Sequence, residues 1–92
     1  MKQLGTLADL KRIMQVGVTV TMLKHDWYPY GPLIGMPRKI TKIQGNGGKF
    51  EGGSWFYYPA ARQLKFEGGL KFSVPLDDDG ARVYYEVEGE ET

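Results

Sequence analysis

From Val16 onward the chain repeats one pattern: a short run with alternating side-chain character, then a break made of glycine, proline or polar turn residues. Alternation with a period of two sends neighbouring side chains to opposite faces of an extended strand, and frequent breakers keep every such strand short. Val18, Val20 and Met22 share one face of the first run, and Thr19, Thr21 and Leu23 the other. Its β-branched content supports a strand. A second run spans residues 38–44, where Ile40 and Ile43 lie three apart and reach one face only through a bulge or end effect. Asn46-Gly47-Gly48 reads as a turn. Ser54 to Tyr58 forms a third, aromatic run closed by Pro59, and Leu64–Phe66 pairs with Leu70–Val74 across Glu67-Gly68-Gly69 as a hairpin. The last run places Val83, Tyr85 and Val87 on one face, and residues 88–92 form an acidic tail.

Only the beginning departs from this pattern. Leu7, Leu10, Ile13 and Met14 recur at helical spacing, Thr6 can cap the helix, and Asp9 sits at the positive end of its dipole. A short helix over about 6–15 follows, ended near Gly17. The predicted fold is a single mainly β domain over residues 1–92. It has one N-terminal helix, then a small SH3-like barrel of five to six antiparallel strands over about 16–87, with an OB-like barrel as the alternative.

Twelve aromatic residues supply bulk for a core in a chain of 92 residues. With no Cys, there is neither a disulfide framework, a thiolate metal site nor a thiol nucleophile. No apolar run matches a signal peptide or a membrane span, so the expected location is the cytoplasm, without membrane attachment. The net charge of +1 conceals segregation. Residues 1–76 carry eleven basic residues against four acids, a balance of +7, whereas residues 77–92 carry seven acids against Arg82. A basic body attracts polyanions, and an acidic end meets a basic partner.

Catalysis finds little support. His25 is the sole His, and adjacent Asp26 points to the opposite side of an extended segment, which is a poor relay. Asp77-Asp78-Asp79-Gly80 lacks the alternate spacing of a calcium loop, and Gly45-Asn46-Gly47-Gly48-Lys49 lacks the Gly-Lys-Ser/Thr ending of a phosphate loop. No enzyme activity, metal or cofactor is expected.

Binding is better represented. Trp27, Tyr28 and Tyr30 lie in a loop from His25 to Pro37 too rich in Pro and Gly for regular structure. Trp55-Phe56-Tyr57-Tyr58 sets two rings on each face of its strand, one pair available for the core. Exposed rings beside Lys24, Arg38, Lys39 and Lys42 suit stacking on unpaired bases with phosphate contacts. The same rings near prolines equally suit a protein interface, to which Asp77, Asp78 and Asp79 contribute by imitating phosphates.

Several segments taken together resemble a group of small proteins encoded by bacteriophages and prophages. They are Leu10-Lys11-Arg12, Val16-Gly17-Val18, Trp27-Tyr28-Pro29, Pro37-Arg38-Lys39-Ile40, Ile43-Gln44-Gly45-Asn46-Gly47, residues 54–60 and Leu64-Lys65-Phe66-Glu67-Gly68. The likeness spans residues 7–74 and excludes the acidic end. It implies a phage accessory protein that binds a host macromolecule, anti-CRISPR inhibitors of a Cas nuclease or its guide complex being one such class. A small nucleic-acid-binding barrel is the alternative.

Overall fold

The computed structural model describes residues 4–28, 30, 31 and 34–88. The elements are helix α1 (Leu7–Ile13) and strands β1 (Thr19–His25), β2 (Pro37–Gln44), β3 (Gly47–Phe50), β4 (Trp55–Tyr57), β5 (Lys65–Gly68), β6 (Lys71–Pro75) and β7 (Arg82–Glu88), with a 3-10 turn at Ala61–Gln63. Every pairing between these strands is antiparallel, and they form one sheet in the order β4-β3-β2-β1-β7-β6-β5. Among the described residues no helix is long and apolar enough to cross a membrane.

Thr6 caps α1 as its sequence predicts, its Oγ1 accepting from the Asp9 amide at 3.1 Å, while Asp9 accepts from the Gly5 amide. The helix is shorter than the expected 6–15. Met14 leaves helical geometry, and the Gln15 side chain donates to the carbonyls of Lys11 and Arg12, closing the last turn. Gly17 takes a positive φ of 97°, so Val16 belongs to a turn and β1 begins at Thr19 rather than at 16.

Seven strands replace the expected five to six. The additional one is β3, because Gly47 and Gly48 are paired strand residues and only Gly45-Asn46 forms the turn. Steric room explains glycine there. A Cβ on Gly47 would lie 2.0 Å from the Phe56 carbonyl oxygen, and one on Gly48 would lie 2.3 Å from the Lys42 carbonyl oxygen and 2.7 Å from the Phe56 ring. The bulge needed to align Ile40 with Ile43 is present, the register shifting between Ile40 and Lys42. Ile40 is fully buried, whereas Ile43 lies at the strand end and is partly exposed.

Strand β2 is shared. Its first half pairs with β1 and its second half with β3, so the sheet turns a corner along this strand. The two edge strands, β4 and β5, are joined by residues 58–64 alone. Laid flat, seven strands would span about 29 Å at roughly 4.8 Å each. Eight Cα steps reach about that distance only when fully extended, and the 3-10 turn shortens them. The sheet must therefore curl. Its concave side holds one apolar cluster in which Leu10 and Met14 of α1 meet Val20, Ile40, Phe50, Tyr58, Leu64, Phe72 and Val87.

Candidate functional site

The structure divides the predicted binding residues among three places. The first is the outer face of β2, β3 and β4. The bulge at Thr41 lets Lys39 and Lys42, three apart, both point outward. Lys42 lies opposite Lys49, and Lys49 lies opposite Trp55 with its Nζ 5.3 Å from the ring centroid. Tyr57, two residues on, shares that face and is 75% exposed, and Trp55 is 48% exposed. Their partner Phe56 turns inward, 4.9 Å from Phe50 and edge-on to Tyr58. Of the four successive rings, two thus complete the core and two are presented outward beside ammonium groups. Lys49 is the residue that reading the chain as a sequence missed, because it followed an apparent glycine turn.

The second place is the loop after β1. The described part of that loop folds back on the strand, Ile34 bridging Met22 and the Gly35 amide donating to the Met22 carbonyl at 2.8 Å. Pro29 of the proposed loop lies outside the described residues, as do Pro32 and Leu33. Trp27, Tyr28 and Tyr30 are exposed. The indole of Trp27 donates to Asp77 Oδ2 at 3.1 Å, joining the aromatic loop to the acidic turn fifty residues later. Asp77 Oδ1 accepts from the amides of Asp79 and Ala81, which shapes the turn and leaves Asp78 and Asp79 exposed. The Asp79 amide holds the Asp77 carboxyl below its ordinary pKa of 3.8, with the Trp27 indole and Ala81 amide adding to the effect against some desolvation. His25 and Asp26 do not face each other in a relay. His25 Nδ1 accepts from the Tyr28 amide, and Asp26 Oδ2 accepts from the Arg82 amide at 2.8 Å. Lys24 lies 3.6 Å from Asp26, an exposed pair of small energetic weight.

Arg38 occupies the third place, on the opposite face of β2 from Lys39 and Lys42, with which the sequence groups it as a phosphate contact. It pairs with buried Val20 and lies two residues before buried Ile40, so it points to the concave side. Its guanidinium carbon sits 4.4 Å from the Phe50 ring centroid. That placement was legible in principle, since a period-two strand carrying a core Ile carries position 38 on the same face.

The acidic tail is divided as well. Glu88 ends β7, and residues 89–92 lie outside the described residues. The chain matches no protein-family model, no curated protein and no solved structure.

Proposed function

We propose that this chain is a non-catalytic binding protein whose working surface is the outer face of β2–β4, and that its partner is single-stranded nucleic acid. One observation carries the reading: Trp55 and Tyr57 stand exposed on one strand face, with Lys49 against the Trp55 ring and Lys42 and Lys39 beyond it. Unpaired bases stack on such rings, and ammonium groups spaced along the next strands follow the phosphates. The curled sheet supports a small barrel of the SH3-like kind, because the bent β2 is shared by two halves and a 3-10 turn links the edge strands.

Titration of the chain with labelled single-stranded DNA and RNA at several salt concentrations tests this. Binding is expected to weaken steeply with salt as phosphate neutralisation releases counterions. Trp55→Ala and Tyr57→Ala are each expected to cost about 1–3 kcal/mol, and Lys49→Ala to flatten the salt dependence. Absence of binding at low salt, or equal binding by Trp55→Ala, removes the reading.

A second reading is favoured by the Trp27–Asp77 hydrogen bond, which unites apolar anchors and three carboxylates in one patch. Here the protein is a phage-encoded inhibitor of a host defence factor such as a Cas nuclease, the carboxylates occupying a groove that otherwise holds phosphates. Inhibition of the nuclease should then be lost in Trp27→Ala and in the triple Asp77/Asp78/Asp79→Asn variant. Inhibition unchanged in both variants eliminates it.

A further inference from the structure

Between the two halves of the curled sheet lies a cavity of about 180 Å³. Phe50, Phe56, Phe72 and Tyr85 contribute to its wall, Trp55 and Tyr57 of β4 border it, and among the described residues Arg38 is the sole ionic side chain along it. Among the described residues no carboxylate borders the cavity. The Arg38 Nε is sealed from solvent without a hydrogen-bond acceptor, and among the described residues the guanidinium forms no ion pair. The nearby Tyr85 phenol does not serve as counter-ion. Burial pushes its pKa above 10.0, and the Arg38 charge opposes that only in part, so the ring keeps its proton at neutral pH.

A buried Nε without an acceptor leaves one donor of this half-buried guanidinium unsatisfied, and the Phe50 face does not supply an acceptor. Its planar fork matches a carboxylate through two parallel hydrogen bonds. Size narrows the choice further. A cavity of roughly 150 Å³ encloses a benzene ring. The space here takes one ring with a carboxylate attached and is too small to enclose a whole nucleotide.

We propose that this cavity binds a small aromatic carboxylate, with the carboxylate paired to Arg38 and the ring packed among Phe50, Phe72 and Tyr85. The site adjoins the face assigned to nucleic acid, since Trp55 and Tyr57 of β4 border both.

The test is an NMR titration of the full chain with benzoate and with benzamide, its neutral counterpart of the same shape. Saturable shifts confined to Phe50, Phe72, Tyr85 and the Arg38 side chain are expected, with a dissociation constant of about 1 mM or tighter for benzoate. Binding roughly tenfold weaker or more is expected for benzamide and for Arg38→Met, a variant that replaces the guanidinium with an apolar chain suited to the core. Arg38→Lys, which keeps the charge but not the fork, should fall between wild type and Arg38→Met. Equal binding of benzamide, undiminished binding by Arg38→Met, or no saturable shift at about 10 mM benzoate overturns the proposal. Because benzoate is read directly, its failure and the failure of nucleic-acid binding are separate results.

Discussion

Single residues here are decided by what lies across the strand from them. Gly47 and Gly48 look like turn residues along the chain, yet both are buried in β3, where the Phe56 backbone and ring leave no space for a Cβ. Gly47→Ala is therefore expected to destabilise the fold by about 3 kcal/mol, since the clash is with backbone and cannot be relieved by a rotamer change. Urea unfolding measures it, and a loss under about 0.5 kcal/mol, the usual range of surface substitutions, would refute the steric account. Arg38 teaches the same lesson in charge. Its position relative to Ile40 forecasts an inward side chain, but a buried Nε without an acceptor is visible only in the folded chain.

At the level of elements, the acidic turn between β6 and β7 is organised by Asp77, which accepts two backbone amides and the Trp27 indole. Its folded pKa is depressed, so its stabilising contribution is fully present above the ordinary value of 3.8 and is lost as pH falls through the lower, folded value. Trp27 reports the change. In a Trp55→Phe background, acid titration is expected to shift Trp27 fluorescence below pH 3.8, and Asp77→Asn is expected to abolish that transition. A transition that survives in Asp77→Asn would assign it to another carboxyl group. The contact joins positions fifty residues apart, so neither the Pro/Gly-rich loop nor the triple Asp run announces it in sequence.

For the molecule as a whole, the curl of the sheet depends on how the segment from β4 to β5 is held. Arg82 on β7 provides that tie. Its Nη2 donates to the carbonyls of Gln63 and Ser73 at 2.8 and 2.9 Å, and its Nε donates to the hydroxyl of Ser73, which is fully buried. Ser73 in turn donates to Glu67 on β5. Arg82→Met removes three hydrogen bonds from a charged donor and leaves that hydroxyl with its Glu67 acceptor but no donor, at an expected cost of about 2–3 kcal/mol. The melting temperature should fall by roughly 10–20 °C for a domain of this size. Arg82→Lys should restore little, because one ammonium cannot reproduce the fork. Full stability in Arg82→Lys would show that charge alone matters at this position.

Local pattern by itself determined the strands other than β3, the capped helix and the inward set of Val20, Ile40, Phe72 and Val87, because burial of one face imposes period two or 3.6 on any short element. It also divided Trp55-Phe56-Tyr57-Tyr58 into two pairs, although not which pair is exposed. Tertiary structure alone decided the rest. Order among seven strands, the corner in β2, the pairing of Trp27 with Asp77 and the placing of Arg38 beside an aromatic cavity all arise between residues distant in the chain. Such contacts depend on register and curvature, and a local repeat carries no information about either.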